Sequence, residues 1–174
     1  MVIRKATYED VPRLMEIFAS ARQIMRDSGN LHQWDDSYPS ETIVQKDISE
    51  GVCHVLCDDT GLILATMAFI PGPDPTYAEI YSDHTMTIPT SWPNEFPYHV
   101  IHRIAVAQPG HGAFALLTAW AFERAHTIRI DTHADNVIMH HLLAKHGFTP
   151  CGTIRLASGA PRVAYIKCLG RSCY

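Results

Sequence analysis

Apolar residues first settle into a clear period near the start of the chain. Val11, Leu14, Met15, Phe18, Ala21 and Met25 recur at helical spacing, which predicts an amphipathic helix over residues 8–27. Thr7 and Asp10 have the spacing of a capping box, with Asp in place of Glu, and Pro12 falls in the first turn, where proline is tolerated. Val2–Ala6 reads as a short strand before it. A polar, aromatic loop, "LHQWDDSYP", leads to a second helix that starts at Ser40, carries Ile43, Val44 and Ile48 on one face and ends at Gly51. "VCHVLCD" and "LILATMAFI" flank "DTG" as the strands of a hairpin. The second strand is nearly all apolar, as a central strand covered on both faces should be.

The period is lost over residues 71–98, which hold six prolines and several aromatics. A segment of that length is usually a functional cover or carries short strands of its own. Tyr77–Tyr81 is a candidate. Order returns with "HVIHRIAV", a core strand, then a glycine-rich bend and a helix over residues 112–125. "TIRID" is a strand, and "NVIMHHLLAKHGF" is a helix whose Lys145, His146 and Gly147 form a C-terminal signal. "CGTIRLA", a "SGAP" turn and "RVAYIKCL" form a closing hairpin. The fold class is α/β (α+β), a mixed sheet flanked by about four helices. No repeat or second domain is visible, so residues 1–174 read as a single domain.

Composition narrows the function. With 174 residues and 47% hydrophobic content, the chain can bury a sizeable core. The formal charge of −4 offers no basic field, so no nucleic-acid partner is expected. Free imidazole titrates near 6.5, so the eleven histidines can offset that charge in mild acid. The first residues have no apolar core of a signal peptide, and no apolar run approaches the ~18 residues of a membrane span. Five cysteines, an odd number without a C-x-x-C pair, suggest reduced thiols and a cytoplasmic protein with no membrane partner.

The bend carries the first chemistry. In "AVAQPGHGAFALLTAW" a strand ends at Val106, Gly110 and Gly112 flank His111, and a helix follows at once. Amides at a helix start favour an anion, and glycine lets a phosphate reach the backbone. A tight turn needing positive φ accounts equally for the same glycines. "GHG" matches neither G-x-G-x-x-G nor the phosphate loop ending in Lys-Ser/Thr.

The order of elements, the bend and "N-x-x-M-x-x-L-L-x-K-x-G-F" at residues 136–148 together resemble the GNAT family of acetyl-CoA-dependent N-acetyltransferases, over residues 2–168. The family's bend reads [RQ]-x-x-G-x-[GA], and its later helix usually reads N-x-x-A-x-x-L-Y-x-K-x-G-F. Asn136, Leu142, Lys145, Gly147 and Phe148 stand at matching places. Two registers of the bend remain open. In one, Gly110 and Gly112 are the two small residues and Ala107 takes the Arg/Gln place. In the other, Gly112 comes first, Pro109 takes the Arg/Gln place and Phe114 replaces the second small residue.

The resemblance implies that two parallel strands splay apart to hold acetyl-CoA. Its arm would pair with backbone at Ile104, Ala105 and Val106, its pyrophosphate would sit on Gly110, His111, Gly112, Ala113 and Phe114, and Asn136 would bond the arm. Asn136 can equally be a helix cap. The implied reaction is attack by a primary amine on the thioester, with an amide of the splayed strand, near Ala105 or Val106, taking the oxyanion. Leu143 stands where the family often has a tyrosine acid, so no phenol is carried over. His102, in an otherwise apolar strand, is the candidate base or water relay, with Asp131 or Glu79 binding the amine cation. His133 and the aromatics Trp34, Tyr38, Trp92 and Phe96 are further candidates for the acceptor pocket.

No metal site is expected. No H-E-x-x-H is present, and the adjacent His140 and His141 point about 100° apart on a helix. The expected acceptor is a small-molecule amine. Acetylation of a protein N-terminus or lysine, and a CoA-binding module without turnover, are the alternatives. The family's closing hairpin commonly lies at dimer contacts, which implies a homodimer.

Overall fold

The structure is a computed structural model, and it describes residues 1–170. Nine strands form one mixed sheet in the order β1-β2-β3-β6-β7-β9-β8-β4-β5. In chain order they are β1 (Val2–Lys5), β2 (Cys53–Cys57), β3 (Ile63–Pro71), β4 (Ile80–Tyr81), β5 (Pro89–Thr90), β6 (His99–Val106), β7 (Thr127–Thr132), β8 (Thr149–Arg155) and β9 (Pro161–Cys168). The helices are α1 (Val11–Asp27), α2 (Glu41–Ser49), α3 (Ala113–Phe122) and α4 (Val137–Lys145). The mixed α/β architecture is the one the sequence predicts.

Three apolar clusters seat these elements. On one face of the sheet, α3 and α4 bury Leu117, Ala121 and Leu143 against Met67, Phe69, Ile101 and Ile130. On the other face, α1 and α2 bury Leu14, Phe18 and Val44 against Val55 and Ala105. The long segment before β6 covers the rest of that second face, with Tyr77 and Ile80 packed on Val100, Ile154 and Ala164. The proline-rich stretch is therefore a cover over that part of the sheet.

Local chemistry shifts some boundaries. The first helix opens as a 3-10 turn at Tyr8–Asp10, because the Asp10 carboxylate turns back to accept from the Thr7 amide at 2.8 Å and from Arg4 at 2.7 Å. In the expected strand at Tyr77–Tyr81 only Ile80–Tyr81 is extended. Before it, Pro75–Tyr77 is a 3-10 turn, capped by Asp74 accepting from the Thr76 amide at 2.8 Å. The helix expected over residues 112–125 runs from Ala113 to Phe122, with Gly112 as its N-cap.

Cys53, Cys57 and Cys151 are free thiols, but Cys168 is disulfide-bonded, which corrects the expectation of reduced thiols throughout. Cys173 lies outside the described residues. Among the described residues, no helix is long and apolar enough to cross a membrane.

Candidate active site

The site begins where two parallel strands part. β6 and β7 pair only at His99 with Ile128 and at Val100 with Arg129, yet β6 continues to Val106 and β7 to Thr132. A bulge in β6 starts the parting. Thr66 faces Ala105 and Ala68 faces His102, so Met67 alone faces both Arg103 and Ile104. Strict alternation would send Arg103 to the α3–α4 side with Ile101. The bulge puts His102 and Arg103 on the same face instead, with Arg103 at φ 50°. A non-glycine residue held there costs about 1–3 kcal/mol. Three bonds hold it: Nε donates to Asp47 Oδ2 at 2.7 Å, Nη2 to Asp47 Oδ1 at 2.9 Å and Nη1 to the Tyr38 hydroxyl at 3.2 Å.

Beyond the bulge the gap opens into a cleft of about 650 Å³ between α1, the bend and α4. All the positions expected to hold the cofactor line it: Ile104, Ala105, Val106, Gly110 to Phe114, and Asn136. The Ala107 amide bonds across to Leu64 on β3 at 2.8 Å, so alternation turns the Val106 amide toward the gap. Gly110 and Gly112 sit at φ 93° and 70°, the left-handed region. A Cβ at either would meet no atom within 4 Å, so the backbone faces open space. Leu116 makes an early helical bond of α3, to Gly112, and the amides before it point out of the helix end. His111, His141, Lys145 and His146 surround this mouth. Open backbone, outward amides and the Lys145 cation fit a diphosphate group.

Asn136 serves as a cap here. Its carbonyl accepts from the Met139 amide at 3.0 Å, and its amide donates to Gln33 Oε1 at 2.7 Å. It is also 4% exposed and lines the cleft.

A second cavity, of about 630 Å³, lies on the other side of the splay. The two share Met25, Ile104 and Met139 in their walls. His102 and Asp131 both line it. His102 Nε2 lies 3.1 Å from Asp74 Oδ2, and Nδ1 lies 3.7 Å from Asp131 Oδ1. The Tyr77 hydroxyl donates to that Asp131 oxygen at 2.7 Å. The His102 bond, chiefly, holds the Asp74 carboxyl below the usual range. Burial, reinforced by Asp131, pushes the Tyr77 phenol well up, so it stays a donor. Arg162, 7% exposed, lines the same cavity.

Some expected residues stand elsewhere. Glu79 is exposed and accepts from the Tyr81 hydroxyl at 2.7 Å, away from both cavities. The 3-10 turn directs Asp74, five residues earlier, to His102 in its place. His133 lies beside His32, the rings tilted 50° and their centroids 6.0 Å apart, and burial lowers its pKa. Trp34 and Tyr38 line the second cavity, whereas Trp92 stacks on Tyr77 and Phe96 is exposed. Leu143 is fully buried under α4, and Leu142 is the residue at the cleft. Among the described residues no His, Cys, Asp or Glu cluster could hold a metal ion. Sequence reading missed Asp74, Gln33 and Arg162. An aspartate at a turn start and an arginine in a strand carry no local signal of a shared cavity.

Comparison with known proteins agrees with this geometry. No protein-family model and no curated protein matches the sequence. Solved structures do. A GNAT-family acetyltransferase from Streptococcus agalactiae is 29% identical, with a TM-score of 0.82 over 98% of this chain and 96% of that one. Another from Listeria monocytogenes is 18% identical, with a TM-score of 0.68 over 97% and 94%. A ribosomal-protein-alanine N-acetyltransferase from Brucella melitensis is 20% identical, with a TM-score of 0.60 over 97% and 100%. The splayed strands, the open glycine bend and these likenesses across nearly the whole length agree: the chain has the fold of the GNAT-family acetyltransferases and resembles them from end to end.

Proposed function

We propose that the protein acetylates the primary amine of a small molecule, using acetyl-CoA. The observation that carries this reading is the meeting of the two cavities at Ile104, where β6 leaves β7. The glycine bend and Lys145 suit a diphosphate on one side, and a carboxylate-lined pocket suits a cationic amine on the other. Bound acetyl-CoA supplies an acetyl thioester: the amine nitrogen bonds to the acyl carbon, the carbon–sulfur bond breaks, and CoA leaves as the thiol.

The chain's own residues prepare the amine. Asp131 Oδ1 and His102 Nδ1, 3.7 Å apart, are too distant to bond each other but close enough to accept from one ammonium. Asp131 holds the cation while Nδ1 takes its proton, which frees the nitrogen lone pair. Asp74, on Nε2, steadies the imidazolium that forms, and Tyr77 keeps Asp131 oriented. The Val106 amide, directed into the gap, is the donor for the developing oxyanion. The departing thiolate takes its proton from water or from the imidazolium.

The test is acceptor-dependent thiol release from acetyl-CoA, over a panel of small amines and peptides. Small amines should turn over, with kcat/KM rising along an alkaline limb. His102→Gln should lower the rate by roughly 10²–10⁴-fold, the usual share of a general base, and should remove that limb. CoA affinity should hold. Turnover of peptides alone would move the reading to protein acetylation. CoA binding without any acceptor-dependent thiol would leave a binding module.

A further inference from the structure

Arg162 is a buried cation of the acceptor cavity that acetyl transfer to a simple amine leaves unused. Its side chain is 7% exposed and lines the cavity beside Asp131 and His102. Its hydrogen bonds go to backbone carbonyls: Nη1 to Pro161 at 3.0 Å and Nη2 to Gln33 at 3.4 Å. Among the described residues no carboxylate lies within ion-pair distance of it. Arg103 is paired through two bonds to Asp47. Arg129 also has no carboxylate partner among the described residues, but it lies between the rings of Trp92 and Tyr98 and does not line the cavity. A buried guanidinium without a counter-ion is costly, and burial lowers the Arg162 pKa accordingly. Its fork is shaped to take a carboxylate through two parallel bonds.

Strand register fixes how far this cation stands from the amine-binding group. Asp131 on β7 faces Ala164 on β9, and Arg162 lies two residues along β9 on the same face. Such diagonal neighbours are roughly 7–8 Å apart at the backbone. The Asp131 charge acts on Arg162 across that space. The cavity thus offers an anionic site beside the attacking position and a cationic site one strand-diagonal away.

We propose that the acceptor is a free amino acid or close analogue, held by its amine at Asp131 and His102 and by its carboxylate on Arg162. This rests on the acetyltransferase reading and narrows it. A peptide N-terminus carries the amine but has an amide where the carboxylate would be, so Arg162 selects against it. A polyamine has no group to offer Arg162.

The experiment compares the common L-amino acids, their α-amides and the corresponding amines without the carboxylate, in the thiol-release assay. Calorimetric titration of the same compounds into the CoA complex gives a readout that needs no turnover. At least one acid should be preferred over its amide by roughly tenfold to a hundredfold in kcat/KM, the usual range for a charged hydrogen-bonded pair. Arg162→Met should erase that preference by raising KM for the acid, with KM for acetyl-CoA unchanged. Arg162→Lys, which keeps the charge but not the fork, should fall between. Acid and amide used equally by the wild type would overturn the proposal and leave the acetyltransferase reading standing, a result that needs no variant to fold. So would an Arg162→Met loss shared equally by acid and amide. CoA binding with no turnover and no heat from any compound would overturn both.

Discussion

Replacing Gly112 by alanine separates a turn residue from a binding residue, because two costs that usually mix are separable at this position. The first cost is conformational. Gly112 lies at φ 70°, where an L-residue costs roughly 1–2 kcal/mol. For a chain of this size that is about 2–8 °C in Tm. The second cost is steric, and in the protein alone it is absent, since a Cβ there meets nothing within 4 Å. Gly61, in the β2–β3 turn, has φ 88° and the same open surroundings, so Gly61→Ala carries the first cost without the second. Both variants should therefore melt below wild type by similar amounts. CoA at a hundredfold excess over the wild-type Kd stabilises by about 2.7 kcal/mol, which Gly61→Ala should keep in full. If Gly112→Ala weakens binding a hundredfold, the same CoA concentration stabilises it by only about 0.4 kcal/mol. Thermal shift with and without CoA reads both quantities. Equal CoA shifts in the two glycine variants would refute a phosphate role for Gly112 and leave it a turn residue.

Asp74 predicts an acid limb in stability. Its folded pKa lies below the ordinary carboxyl value, so its contribution is present above about pH 4 and is lost as pH falls through the folded value. Asp74→Asn should melt below wild type at neutral pH, with the gap closing below about pH 4; a gap constant with pH would refute the linkage. Leu143→Tyr should destabilise by about 1–3 kcal/mol, because the ring enters a packed core at a fully buried position; a stable variant with faster turnover would show that the position reaches the cleft after all. Asp47→Ala strands the Arg103 guanidinium and should cost about 3–5 kcal/mol in urea denaturation. Arg103→Met added to it should restore much of that, and no restoration would mean that Arg103 holds the bulge by itself.

The chain's periodicity was a sound guide wherever one face of an element is apolar. α1, β3, β6 and α4 stand where their patterns put them, because each buries a stripe or a face. The bend was legible because two glycines at a strand-to-helix step have few uses. The acceptor cavity was only half legible. His102 drew notice as a polar residue in an apolar strand, and Asp131 by its alternation with His133. Their partners did not, since Asp74 reaches His102 across 28 residues and Arg162 reaches the cavity from the closing hairpin. Such contacts depend on how the cover folds over the sheet, and that is set by Tyr77 burying its ring against Trp92. Glu79 and Asp74 are both acidic residues of the cover, and only the turn at Pro75–Tyr77 decides which faces inward. Likewise the rotation of α4, set by its packing, buries Leu143 and leaves Leu142 at the cleft.

An open sheet ordinarily has two borders, and this one has four. β1 and β5 are the outer pair, while β6 and β7 form an inner pair beyond Val100 and Arg129, facing each other without bonding. Unpaired strand borders invite strand addition from other chains, and proteins commonly blunt them with lysine, proline or a bulge. Along Ile104–Val106 there is no lysine or proline, only the bulge at Arg103 just before. The inner border is shielded by the elements that wall the cleft, α1, the bend and α4. The helices that wall the cleft therefore also stand between this border and neighbouring chains.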